Sequence, residues 1–334
     1  MMKSCWKLPR RPMVVGALFA LTFAGTVLAC QVPVFRYALE RWNPDPYQVV
    51  VLAAGALDPG LLQALSPLSG PPAAHAPVAL KVVDVNQTGD DFAKALWETH
   101  STDGQPVLVT LYPKSYDVPA EQVAHRSIVS TSNVQQVLRS PARQEIARRL
   151  TQGQSAVWLL LESGDAAKDQ AALKTLQQQI EKDADWLALP SAEELEIKPE
   201  VLAKARIKLQ ISFSVLSIRR DDPQETFLVD CLLNSEPDLR SFTEPIAFPV
   251  FGRGRALYAL VGQGIAADTV RSASSFIVGP CSCQVKEQNP GFDLLLTYDW
   301  DEAVGDTFIS SPLPGAATEP RLLSIPAGRV SRPE

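Results

Sequence analysis

Histidine is almost missing from this 334-residue chain: His75, His100 and His125 are the only three, far apart and at no spacing that builds a metal site. A Ser-His-Asp hydrolase therefore has little to draw on, and no G-x-S-x-G turn occurs. Basic clusters interleaved with aromatics are lacking as well. The formal charge is −6, and the first 29 residues hold four cations (Lys3, Lys7, Arg10, Arg11) and no acid. The rest carries 27 basic against 37 acidic side chains, a net charge of −10. An acidic body of this kind repels phosphate backbones, so nucleic acid is not an expected partner. Cysteine is scarce too, with five in all and no C-x-x-C pair among them.

What is present begins with the leader. The cations of residues 3–11 precede an unbroken apolar run over 13–29, the layout of an export signal. The run ends in Val27-Leu28-Ala29-Cys30, which resembles the bacterial lipobox; the resemblance implies lipidation of Cys30 as the first residue of the mature chain. Ordinary cleavage after Ala29 and an uncleaved N-terminal anchor stay open, because the run is close to the ~20 residues of a membrane span. All three place the rest outside the cytoplasm, anchored to the cell membrane or outer membrane in two of them. With Cys5 and Cys30 in or at the leader, Cys231, Cys281 and Cys283 remain. An odd set in an oxidising compartment predicts one disulfide and one leftover thiol.

Behind Cys30, Phe35, Ala38, Leu39 and Trp42 fall at helical spacing and Arg36 and Glu40 are four apart, predicting a short amphipathic helix within 30–45 that packs on the first domain. Apolar runs predict strands over 47–54, 78–85, 106–112 and 123–130, with helices over 60–65 and 90–99 and from 133 and 141. A second set follows. It comprises a buried strand over 156–161, a helix capped by Asp165, and a strand over 207–215 with strict alternation. A helix over 225–233 and a hairpin over 245–261 around Gly252-Arg253-Gly254 come next, then a helix from 266 and an edge strand over 294–299. The Pro-rich stretch 306–334 reads as a disordered tail.

Both halves read strand, helix, strand, helix, proline, strand, strand, helix. That order resembles the thioredoxin fold, on the strength of Pro106-Val-Leu-Val-Thr-Leu-Tyr112 in the first half and the Pro245 to Gly262 stretch in the second. The resemblance implies an α/β chain with two tandem thioredoxin-like domains (46–153 and 154–305), each a mixed sheet flanked by helices. The positions where thioredoxins carry their dithiol read Ala53-Ala54-Gly55-Ala56 and Glu162-Ser163-Gly164-Asp165, without a thiol. The segments CQVPVFRYALERW and GPCSCQVKEQNPG also resemble a family of exported bacterial lipoprotein-type proteins, which implies no particular activity.

Cys281-Ser282-Cys283 is the sharpest candidate for chemistry. Two thiols one residue apart can form an oxidising disulfide or hold a soft cation such as Cu(I), and Lys286 nearby would favour the thiolate. The commoner use in exported proteins is a single structural bridge, here from either residue to Cys231. Gly262-Gln263-Gly264-Ile265-Ala266-Ala267 fits the dinucleotide fingerprint G-x-G-x-x-A, but a Gly-Pro-Cys loop follows its helix where a strand ending in an acid is needed, so it reads as a hairpin-to-helix turn. The acidic run Asp299, Asp301, Glu302, Asp306 has Ala303 at one calcium-ligand position and reads as a solvated turn. Arg253 and Arg255 read as hairpin-tip charges open to an anionic partner. The function expected is a membrane-tethered, extracytoplasmic binding or scaffold protein without cofactor that meets another envelope protein. The alternative is a thiol-redox or Cu(I)-handling protein.

Overall fold

A computed structural model describes residues 32–113, 118, 122–281 and 285–311. The chain is an α/β protein with two mixed sheets flanked by helices. The leader, Cys30, Cys283 and the stretch from 312 lie outside the described residues.

The first half runs β1 (Tyr47–Ala53), α2 (Pro59–Leu65), β2 (Val78–Asp84), α3 (Asp91–His100), β3 (Val107–Leu111), β4 (Val123–Ile128), α4 (Thr131–Leu138) and α5 (Pro141–Thr151), preceded by α1 (Val34–Arg41). Its sheet has the order β2-β1-β3-β4, with β1 and β2 parallel and the other pairs antiparallel. The second half runs β5 (Ala156–Glu162), α6 (Ala166–Trp186), α7 (Pro199–Lys204), β6 (Phe213–Arg219), α8 (Thr226–Leu233), β7 (Ile246–Phe251), β8 (Arg255–Ala256), β9 (Leu260–Val261), α9 (Ala267–Val278), β10 (Phe292–Asp293) and α10 (Trp300–Val304). Its order is β10-β8-β7-β5-β6, with β9 also on β7, β5 and β6 parallel, and β7 antiparallel to β5. Each half thus repeats one scheme: a parallel pair at one edge of the sheet, whose inner strand is joined on its other side by an antiparallel strand.

Strand periodicity explains the layering, because successive side chains point to opposite faces. In β1, Val50 and Leu52 join Ala93 and Leu96 of α3 on the outer face, while Tyr47, Val49 and Val51 face inward. In β5, Trp158 and Leu160 face α6 and α9, while Val157, Leu159 and Leu161 face inward. The two inward faces, with α4, α5 and α8 among them, make one continuous core. Helix α8 (TFLVDCLL) lies between the sheets, which is why it is apolar on nearly every side. The halves therefore share a core. Residues 293–298 stitch them further: Tyr47 Oη donates to the Asp293 carbonyl at 2.6 Å and Thr297 Oγ1 to the Leu138 carbonyl at 2.6 Å.

The helix behind the leader is where expectation and structure part most. From Val34 to Glu40 every residue of α1 is buried, and its apolar side chains belong mainly to the second half's core beside β7 and α9. Ala38 lies against Gly252, where a Cβ would come within 2.6 Å of the Ala38 Cβ, so the hairpin turn must be glycine. Arg253 Nε donates to the Leu39 carbonyl at 2.9 Å. Residues 308–311, placed in the tail by composition, close over the same helix: the Ile309 and Ser310 N–H groups donate to the Glu40 carboxylate at 3.1 and 2.8 Å. Arg36 completes the clasp, pairing with Glu40 at 2.7 Å and donating to the Ile207 carbonyl at 2.7 Å.

Three strands also shift. The alternation over 207–215 belongs to a chain that pairs with β5 only from Phe213, and the strand then continues to Arg219. The hairpin's return strand is split into β8 and β9. The expected edge strand over 294–299 is replaced by β10 one step earlier, and Leu294, Leu295 and Leu296 are buried core residues.

Candidate functional site

Cys281 follows Gly279-Pro280 directly after α9. It is buried against the α1 core, and its N–H donates to the Val32 carbonyl at 3.0 Å. Cys231 is on α8, on the opposite side of the second sheet, and is a free thiol. Cys231 and Cys281 are therefore not bridged, because the sheet stands between the α8 core and the α1 core. Burial pushes the Cys231 thiol well above its ordinary value, although the Arg143 guanidinium pulls the other way, so it is held as a neutral thiol. Ser282 and Cys283 lie outside the described residues.

Lys286 does not serve the thiols either. Its ammonium is buried and donates to the Asn43 carbonyl, to Asp293 and to Asp45, each at 2.6 Å. Arg255 is buried in the same cluster, donating to Asp293 at 3.2 Å and to the carbonyls of Asn289, Pro290 and Gly291. Arg253 donates to Asp301 and Asn43, each at 2.9 Å. The two arginines read as solvent-facing are thus internal clamps that hold the 285–293 loop and α1 to the hairpin. The apolar flanks Val250, Phe251, Ala256 and Leu257 were the sequence signal for that burial.

The remaining sequence candidates separate. His75 sits 3.4 Å from Asp299 at the edge of a cleft of about 250 Å³ that Arg253 and Asp301 also line. His100 ends α3, and burial lowers its pKa with help from Arg126. His125 is buried on β4, its Nδ1 2.7 Å from the Asp230 carboxylate of α8 and its ring against Phe227. Gly262 to Gly264 form a single tight turn, and the start of α9 is closed by its own Thr269, whose Oγ1 accepts from the Ala266 N–H at 3.1 Å. Asp299 caps α10 by accepting from the Glu302 N–H at 2.9 Å. Among the described residues no three His, Cys, Asp or Glu side chains converge as metal ligands.

The corner between β5 and α6 is closed by the chain's own acids. At the end of β5, the Asp169 carboxylate accepts from the Ser163 N–H and Oγ at 2.7 Å and from the Gly164 N–H at 3.0 Å. Asp165 accepts from the Ala167 and Lys168 N–H groups. The donors that would attract an anion or lower a thiol pKa at this helix end are thus taken by the chain's own carboxylates. The adjoining cleft of about 580 Å³ is walled by Leu173, Arg219, Arg220 and Asp221.

A larger groove, of about 620 Å³, lies along α4 and the start of α5 where Pro223 and Gln224 of the second half meet them. Gln135, Gln136, Gln144 and Gln224 supply amides, Pro67, Pro141 and Pro223 supply apolar walls, and Arg139 supplies the one charged side chain in that lining. The wall is built from behind. Buried Arg143 donates to the Val137 and Leu295 carbonyls at 2.9 Å, to Ser140 Oγ at 3.0 Å and to the Gln136 carbonyl. Burial lowers the Arg143 guanidinium to about 10, against the opposing pull of Cys231, Glu225 and Tyr47. Glu225 accepts from the Ala142 N–H at 2.7 Å, and burial raises its carboxyl. No sequence pattern marked this groove, because its residues come from three separated segments.

No protein-family model matches the chain, and no curated protein matches it in sequence. Among the described residues no helix is long and apolar enough to cross a membrane, and the 13–29 run lies outside them.

Proposed function

We propose that the chain is a membrane-tethered, extracytoplasmic binding or scaffold protein, built on two thioredoxin-like halves that do not carry out thiol chemistry. The observation that carries the reading is the β5–α6 corner, where Asp169 and Asp165 fill the helix end that a reactive thiol would need. The repeated strand scheme supports the thioredoxin-like part, and the basic, then apolar, leader supports the tether. The groove beside α4 and α5 supplies the binding surface. Its glutamine amides both donate and accept, which suits the backbone of an extended, uncharged peptide segment of another envelope protein.

The alternative, redox or Cu(I) chemistry at Cys281 and Cys283, has less behind it. Cys281 is fully buried in the α1 core and Lys286 is committed to carboxylates. The test is crosslinking at the groove: a photoreactive residue at Gln136 or Gln144 is expected to capture a discrete envelope protein in cells, and one at Gln170 of the other cleft is not. Equal labelling from the two clefts would refute the groove. Loss of the same product on changing Cys281 and Cys283 to serine would favour the thiol reading.

A further inference from the structure

The chain leaves its membrane anchor without slack. The apolar run ends at Ala29, and the first described residue, Val32, is only 4% exposed. Its carbonyl accepts from the Cys281 N–H at 3.0 Å, the Val34 N–H donates to the Gly279 carbonyl at 2.9 Å, and Pro33 forms an antiparallel bridge with Pro280. Behind this bridge α1 is buried along its length and clasped by Arg36, Arg253 and the 309–310 segment. Two Cα–Cα steps separate residue 30 from residue 32, a reach of at most ~7 Å. An uncleaved 13–29 span adds one step, for a reach of at most ~11 Å.

We infer that the body is held against the bilayer by its Val32–Cys281 corner, in one orientation and without a flexible stalk. The inference rests on the tethered reading above. Helix α9 ends at this corner and begins ~18 Å away, at 1.5 Å per residue over its 12 residues. The corner itself is uncharged: the last turn of α9 (Ser275, Phe276, Ile277, Val278), Gly279 and Pro280 carry no ionisable side chain. Short covalent linkage, not attraction to anionic lipid, sets the orientation.

The test uses the full chain in phosphatidylcholine vesicles that contain a headgroup spin label. A fluorescent amino acid is placed at exposed Pro280, at exposed Ser272 midway along α9, or at exposed Gln263 before its start. Quenching at 280 is expected to exceed that at 263 at least twofold, with 272 between them, and to be unchanged when anionic lipid is added. Twenty Gly/Ser residues inserted between Gln31 and Val32 would give a stalk of ~25 Å r.m.s. reach. This chain is expected to stay vesicle-bound while the ratio falls to about one. Equal quenching at 280 and 263 in the bound, unextended chain overturns the orientation and leaves the tether standing. A ratio that survives the insertion overturns it also, since some other surface then sets the pose. A chain that does not float with vesicles overturns the tether and the orientation together.

Discussion

Replacing Glu40 by glutamine tests whether the clasp on α1 is part of the fold's stability or a surface detail. Glu40 and Arg36 form an i,i+4 pair, a spacing that contributes only about 0.3–0.5 kcal/mol when exposed. Here both side chains are buried, and the carboxylate also accepts two backbone N–H groups from residues 309 and 310. Glutamine leaves the Arg36 guanidinium buried without its anion and turns amide hydrogens toward donors. Loss of one partner of a buried pair costs about 3–5 kcal/mol, roughly tenfold more than the exposed case. The assay is urea unfolding of the chain followed by tryptophan fluorescence, for which Trp42 directly after α1 is a reporter. The double variant Arg36→Met/Glu40→Gln removes both charges and keeps an amide oxygen for the 309 and 310 N–H groups, and is expected to recover part of the loss. A loss under 1 kcal/mol for Glu40→Gln, or a double variant no better than the single one, would refute the reasoning.

Cys231 should be unreactive toward thiol reagents in the folded chain and react at the rate of global unfolding; fast labelling would contradict its burial in the shared core. Cys231→Ser is expected to cost about 1–3 kcal/mol in thermal or urea unfolding, because it introduces a hydroxyl into an apolar site, and Cys231→Ala is expected to differ by leaving a small void. Burial alone would raise the Asp230 carboxyl, but hydrogen bonds from His125 and Arg240 bring it below its ordinary value. Its contribution is therefore fully present above about pH 4 and is lost as pH falls through the lower folded-state value. Asp230→Asn should flatten the acid limb of a stability–pH profile; an unchanged limb would remove this pair from the account of the β4–α8 seam.

Much of the element order was legible because most strands here are short apolar runs bounded by Pro or Gly, and several helices start at capping residues such as Asp90, Ser130 and Asp165. The alternation over 207–215 misled because Ile207 and its neighbours pack and accept hydrogen bonds without joining the ladder; Ile207 itself receives Arg36. Arg253, Arg255 and Lys286 misled for a related reason. Charge at a glycine turn or beside a cysteine reads as exposed, and only their partners at 43–45, 289–293 and 301 show otherwise.

By itself the sequence determined what depends on neighbours along the chain: an acidic body behind a basic, then apolar, N-terminal stretch, two successive α/β halves, and no cysteine at 53–56 or 162–165. Tertiary structure decided what depends on residues far apart meeting. It joined the two halves through one core around α8 and placed α1 in the second half. It put Cys231 and Cys281 on opposite faces of a sheet, and assembled a glutamine-lined groove from three segments. Periodicity reports which face of an element is apolar, but two apolar faces carry no address for each other. That address is set by shape and by single contacts such as Ala38 on Gly252, which appear only when the chain has closed.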